Sequence, residues 1–256
     1  MAAYWTRKDD GSKELETIAP WQEAEQHGDK PLPVLPPFKN VVFDLGGVLV
    51  DLKTAEAGRL FAELGLPMPV AFSTAKPLNG MPTAEPGPAG DFIRLVHAMD
   101  TGELTGEKFI DIILSQCRPG VTRQQVSDAY NSAIVFPRQR LELLQRLRRD
   151  YKVYLLSNIG DMHWATTVES ARRQGFDIEE CFDQMFLSYQ LRMAKPDPAI
   201  FQHLIKTTGI NPAETLYIDD FHENIAAGQQ AGLIAFQIEG NSLERYLPHL
   251  FPHLQE

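Results

Sequence analysis

Apolar runs too short to be helices recur along this chain, and most stop abruptly at polar residues. They are Val41-Val42-Phe43, ended by Asp44 and the Gly46-Gly47 pair; Val153 to Leu156, ended by Ser157 and Asn158; Met185-Phe186-Leu187, ended by Ser188; Leu216-Tyr217-Ile218, ended by Asp219 and Asp220; and Leu233 to Phe236. Runs of this length without polar alternation read as strands buried on both faces. Helical patterns separate most of them. Leu141, Leu144 and Leu147 share one face, and Pro198, behind Asp197 as N-cap, opens a helix with Ile200, Phe201, Leu204 and Ile205 that Gly209 can end. Strands alternating with helices predict an α/β fold, a doubly wound parallel sheet with helices on both faces. Ligands of such sheets sit at the carboxyl ends of the strands, where Asp44, Ser157 and the Asp219-Asp220 pair fall.

Between Thr54 and Pro137 the strand signal disappears. Amphipathic patterns run from Arg59 to Leu64, closed by Gly65, and from Phe109 to Leu114, and a third helix starts at the capping box Thr122-Arg123-Gln124-Gln125. Breakers crowd residues 77–90, from Pro77 to Gly90, and predict a mobile loop. The expected division is therefore an α/β core at 40–54 and 138–256, an all-helical insert at 55–137, and an amino-terminal extension at 1–39. Pro31, Pro33, Pro36 and Pro37 crowd the end of that extension and favour extended backbone.

The 256 residues are 43% hydrophobic and 23% charged, enough apolar material for a sizeable core. With 24 Lys+Arg against 34 Asp+Glu, the net charge of -10 argues against nucleic acid and anionic membrane as partners. Cys117 and Cys181 stand far apart and form neither a metal-like nor a redox-like spacing. The first ten residues carry Arg7, Lys8, Asp9 and Asp10 where a signal peptide needs an apolar run. A reducing, cytoplasmic compartment is the expectation.

Taken singly, the strand-end residues have bland readings. Asp44 suits a turn, Ser157 and Asn158 suit a helix cap, and Lys195 suits a solvated loop. The adjacent carboxylates of Asp219 and Asp220 are harder to dismiss, because like charges that close raise one another's pKa unless a cation compensates. Together, the groups put a nucleophilic carboxylate, a hydroxyl, a lysine and a carboxylate pair on one rim of a parallel sheet. That set suits phosphoryl transfer, with hard carboxylate oxygens for Mg²⁺.

The same residues resemble, in order, the four motifs of the haloacid dehalogenase (HAD) superfamily. Phe43-Asp44-Leu45-Gly46-Gly47-Val48 is similar to the first, Leu155-Leu156-Ser157-Asn158 to the second, Met193-Ala194-Lys195-Pro196-Asp197 to the third, and Tyr217-Ile218-Asp219-Asp220-Phe221-His222-Glu223-Asn224 to the fourth. The pattern resembles the branch that contains bacterial alpha-D-glucose-1-phosphate phosphatases, and the insert then resembles a helical cap of the first type. The resemblance implies a magnesium-dependent phosphatase of a small phosphorylated metabolite, with sugar phosphates among the candidates. It makes Asp44 the nucleophile, with Ser157, Asn158 and Lys195 on the phosphoryl group. Asp44, the Gly46 carbonyl and Asp220 become Mg²⁺ ligands, with Asp219 as a further ligand, directly or through water, and Asn224 supporting them.

One departure carries consequences. Most phosphatases of that superfamily have an acid two residues after the nucleophile, and here Gly46 stands there. The loss of general acid-base help costs about 10² to 10⁴-fold in rate, unless another group takes the role; His163 and Asp161 are candidates, although both equally suit the first turn of a helix. Gly46 also leaves open a non-catalytic binding module. A metal-independent haloacid dehalogenase fits less well, because the resemblance implies an aromatic residue at position 46 and no carboxylate pair.

Overall fold

The computed structural model describes residues 2–7, 13–18, 32, 34–66 and 88–255. A hairpin comes first, with β1 (Ala2–Arg7) antiparallel to β2 (Lys13–Ile18). Pro31, Pro33, Pro36 and Pro37, at the end of the amino-terminal extension, all lie after it. The main sheet holds β3 (Asn40–Phe43), β6 (Lys152–Ser157), β7 (Gln184–Leu187), β8 (Thr215–Asp219) and β9 (Ile234–Gln237), all parallel, in the order β7-β6-β3-β8-β9. The α/β prediction holds, and the strand order reverses at β3, the place where a doubly wound sheet opens a crevice.

Alternation along the strands builds two cores. Val41, Phe43, Leu155 and Ile218 face α5 (Arg138–Leu147) through Leu141, Leu144 and Leu147, together with α10 (Leu243–Leu250). Val42, Leu156 and Tyr217 face the other way, onto Ile200, Phe201 and Leu204 of α8 (Pro198–Thr208) and Ile225 of α9 (His222–Gln230). The caps of α8 are those expected: Asp197 accepts from the Ala199 amide, and Gly209 closes the helix with φ +68°.

The insert carries α1 (Thr54–Glu63), α2 (Pro88–Asp100), α3 (Gly106–Leu114) and α4 (Arg123–Asn131) around a third core of Phe61, Phe92, Phe109 and Tyr130. The capping box at Thr122 forms with both of its hydrogen bonds. Two expectations need correction. The insert is not wholly helical, because β5 (Ile134–Val135) pairs antiparallel with β4 (Asp51–Leu52) at its root; two residues are too few to show alternation. The loop expected at 77–90 lies outside the described residues up to position 87, and Pro88 to Gly90 are helical, proline being tolerated in a first turn. Among the described residues no helix is long and apolar enough to cross a membrane.

Cap and core are fastened by polar contacts. The Ser188 hydroxyl, at the start of α7 (Ser188–Leu191), donates to the Asp100 carbonyl at 2.5 Å and accepts from the Ile159 amide at 2.9 Å. Asp161, opening α6 (Asp161–Arg173), accepts from the Gly106 amide at 3.0 Å, so a core carboxylate caps a helix of the insert. The His163 ring stacks on Tyr130 at 3.9 Å.

Gly228 on α9 has no room for a side chain. A Cβ there would lie 2.6 Å from Cδ1 of Tyr217, whose ring is fully buried. Gly228→Ala is expected to lower stability by about 1–3 kcal/mol, measured as a fall in the midpoint of urea unfolding with an unchanged slope.

Candidate functional site

The registry of the sheet assembles the site. Phe43 lies opposite Ile218, so the residues that follow them, Asp44 and Asp219, leave adjacent strands side by side. Asp44, Asp219 and Asp220 each offer an oxygen within 4.8 Å of the others. Lys195 enters from the loop before α8 and bridges two of them, with Nζ 2.7 Å from Asp44 Oδ1 and 2.7 Å from Asp219 Oδ2. All but Asp220 are buried. Burial pulls the ammonium down, but Asp219 and Asp44 outweigh it and hold the Lys195 pKa above its ordinary value.

Asp219 is saturated with donors. Its Oδ1 accepts from the Phe221 amide at 2.8 Å and Asn224 Nδ2 at 3.0 Å, and its Oδ2 accepts from Lys195 and from the Tyr217 hydroxyl at 2.5 Å. A metal could reach Asp219 directly only by displacing one of these, which favours the indirect of the two placements the sequence left open. Asn224 supports Asp219 as expected. Tyr217 was quoted within its motif without a role, because an apolar strand position does not advertise its hydroxyl.

Asn158 is also engaged. Its Oδ1 accepts from the Lys195 amide and its Nδ2 donates to the Lys195 carbonyl, both at 2.8 Å. With both ends of its side-chain amide committed to backbone, Asn158 positions Lys195, and its side chain could meet a phosphoryl group only by giving up one of these bonds. Ser157 is free to do so: its hydroxyl has no hydrogen-bond partner among the described residues, and it lines the space above the sheet.

Asp220 is the counterpart of Asp219. Its Oδ1 is buried without any hydrogen-bond partner. Gly47, with φ +77°, lets the backbone pass close to it; a Cβ there would lie 2.3 Å from Asp220 Oδ2. Three carboxylates share one ammonium, and Asp44 and Asp220 hold their protons more tightly than an ordinary aspartate. Burial raises Asp44 to about 7, against the pull of Lys195. Burial, then Asp219 and Asp44, raise Asp220 to about 8. A pair of unneutralised hard oxygens beside a buried orphan oxygen fits a divalent cation such as Mg²⁺.

Above this cluster, a cavity of about 200 Å³ separates core from cap. Gly46 and Ser157 form part of its floor, and Asp100 and Tyr130 come from the cap. A Cβ on Gly46 would lie 3.3 Å from Leu52 Cδ1, so a side chain at that position would press on β4. The two candidate substitutes are engaged elsewhere. Asp161 caps α3, and burial lowers His163 to about 4, leaving it neutral, with Nε2 3.2 Å from the Tyr130 carbonyl.

Comparison with known proteins places these residues in context. The family model of haloacid dehalogenase-like hydrolases matches residues 38–232. A D-ribitol-5-phosphate phosphatase of Bacteroides thetaiotaomicron is 31% identical over 211 residues, 80% of this chain and 94% of that protein. A HAD family enzyme of the same organism, solved in complex with magnesium and inorganic phosphate, superposes with a TM-score of 0.68 at 31% identity, covering 84% of this chain and 99% of the other. A predicted HAD-like hydrolase of Porphyromonas gingivalis gives 0.67 at 25% identity, covering 86% and 100%.

The raised carboxyls make the metal-free site sensitive to pH. Folded values of about 7 and 8 stand above the ordinary 3.8 of an unfolded aspartate, so the native state retains protons that the unfolded chain has released. Their contribution to stability therefore falls as pH rises from about 4 to about 8. In chelator, the gap between the melting temperatures of Asp220→Asn and the wild type should shift in favour of the variant between pH 5 and pH 8. A gap that stays constant would mean that these charges are already compensated.

Proposed function

The chain belongs to the haloacid dehalogenase-like hydrolases as a phosphatase, and we propose that it hydrolyses a small phosphate monoester, a sugar or polyol phosphate, through an aspartyl phosphate on Asp44. The observation that carries this reading is the buried Asp44-Lys195-Asp219 bridge beside the unpartnered Asp220 oxygen. A carboxylate held at the end of a buried strand, with a lysine locked against it, is oriented for attack and cannot rotate away. The similarity to a D-ribitol-5-phosphate phosphatase supports a polyol or sugar phosphate as the substrate class.

Asp44 attacks phosphorus with the oxygen that does not face Lys195. Lys195, held by Asn158 through its backbone and by Asp219 through its ammonium, offsets negative charge on the phosphoryl oxygens, and the Ser157 hydroxyl donates to one of them. Asp44, Asp220 and the Gly46 carbonyl are the groups that would hold Mg²⁺, with Asp219 acting through Lys195 and its own donors. When bound, the ion supplies charge screening between the anionic nucleophile and the anionic phosphoryl group. A metal-independent dehalogenase reading leaves the excess charge of Asp220 without a purpose.

Asp44→Asn should abolish Mg²⁺-dependent phosphate release from p-nitrophenyl phosphate, by about 10³-fold or more, while the variant remains folded by circular dichroism. Chelator should silence the wild type, and Mg²⁺ should restore it. Full activity of the wild type in chelator would overturn the assignment of the metal. Lys195→Ala should cost about 3–5 kcal/mol of stability, because it strands buried carboxylates, and urea unfolding reads that loss directly.

A further inference from the structure

The chemistry proposed above leaves one proton unassigned. When the bridging P–O bond of a monoester breaks, the leaving oxygen departs as an alkoxide unless something protonates it. Asp44 is occupied as the nucleophile, Asp220 is directed to the cation site, and the ammonium of Lys195 is shared between two carboxylates. Among the described residues of the phosphoryl pocket no group is left to serve.

The cavity above that pocket offers one. Asp100, the last residue of α2, lines it together with Gly46 and Ser157. Its Oδ1 lies 3.6 Å from the position a Cβ on Gly160 would take, so the carboxyl rests against the loop that follows Ser157 and Asn158. No donor among the described residues bonds to that carboxyl, in contrast to Asp161 and Asp219. Its backbone is not free to wander: the Ser188 hydroxyl ties the Asp100 carbonyl and the Ile159 amide to one point. The wall beside it is formed by Leu52, Phe61, Val96 and Ile134, and no lysine or arginine is among the described residues lining the cavity.

We propose that Asp100 is the catalytic acid of this enzyme, supplied by the cap, and that the cavity receives the uncharged alcohol portion of the substrate. The proposal rests on the phosphatase reading and adds the proton donor and the character of the leaving group. In the first step an Asp44 oxygen forms a bond to phosphorus, the bridging P–O bond breaks with its electron pair going to the leaving oxygen, and the Asp100 proton moves to that oxygen to give the free alcohol. In the second step a water attacks the aspartyl phosphate, its proton goes to the Asp100 carboxylate, and phosphate and the Asp44 carboxylate are released. Burial brings Asp100 to about 7, which suits a group that must give and take a proton near neutral pH. The described wall residues, apolar and without lysine or arginine, suit an uncharged alcohol portion, since a second charge buried there would need a partner.

The test is leaving-group dependence. Wild type, Asp100→Asn and Asp100→Glu are compared on a series of substituted phenyl phosphates running from p-nitrophenyl to p-methoxyphenyl. Nitrophenolate leaves without a proton, so Asp100→Asn should lose far less kcat/KM on that ester than on esters of more basic phenols. On the methoxyphenyl ester it should fall by about 10² to 10⁴-fold, giving a steeper slope against leaving-group basicity. Asp100→Glu, which retains an acid, should recover part of the loss on the methoxyphenyl ester only. Equal losses across the series would reveal a structural role and overturn the proposal, as would a slope identical to wild type. Should Asp100→Asn fail to fold, Asp100→Ser provides the same comparison. A wild type inactive on the whole series with Mg²⁺ would instead overturn the phosphatase reading, so the two failures are distinct.

Discussion

A single lysine ammonium held between two buried carboxylates is the constraint around which the rest of this molecule is arranged. Burying three ions costs several kcal/mol each before any attraction is counted, and the fold offsets that cost by geometry. Adjacent parallel strands deliver Asp44 and Asp219 side by side, and the Asn158 amide fixes the Lys195 backbone from a third strand. Tyr217, Asn224 and the Phe221 amide fill the remaining lone pairs of Asp219. Asp219 thereby becomes a fixed anchor, while Asp44 keeps one oxygen free of Lys195. The same aspartate pair that looks symmetric in the chain has divided into a saturated member and an unsaturated one.

That division explains what could and could not be read from the sequence. The sheet was legible because each core strand is an uninterrupted apolar run, and the site was legible because its groups sit at the ends of those runs. The caps of α8 and α4 were legible because Asp197, Gly209 and Thr122 act on backbone within a few residues. The bonds of the Asn158 side chain were not legible, since its partners, the Lys195 amide and carbonyl, are 37 residues away and only the fold joins them. The β4-β5 pair left no periodic trace at two residues per strand. Asp100 and Tyr130 were passed over for a related reason: each sits in a helical pattern where nothing local distinguishes a group facing a cavity from one facing solvent.

The docking of the cap is as specific as the site beneath it. Hydrophobic packing alone would let α2 slide over the sheet edge, because such contacts have little directionality. Here the seam is set by directional groups, the Ser188 hydroxyl, the Asp161 carboxylate and the stacked His163 ring. Gly102 brings the α2 end to backbone contact with the core, since a Cβ at that position would lie 2.2 Å from the Tyr189 carbonyl oxygen. These contacts fix the roof of the cavity relative to its floor, which is the precision a proton transfer between them would need.

Two environments consequently meet at one plane. Below it, carboxylates outnumber the ammonium, and the pocket suits a cation and a phosphoryl group. Above it, the wall is apolar with a few unpaired polar atoms, the Tyr130 hydroxyl among them. A monoester has the same polarity, with its charge at the phosphoryl end and a neutral alcohol at the other, and the scissile bond lies at the boundary. Leu52 sharpens the boundary by occupying the space beside Gly46. An acid there would add a further negative charge to a cluster whose members already raise one another's pKa. An acid on the cap shares the cavity with Gly46 and Ser157 without joining that cluster, so the phosphoryl pocket below keeps its charges for the metal and the phosphate.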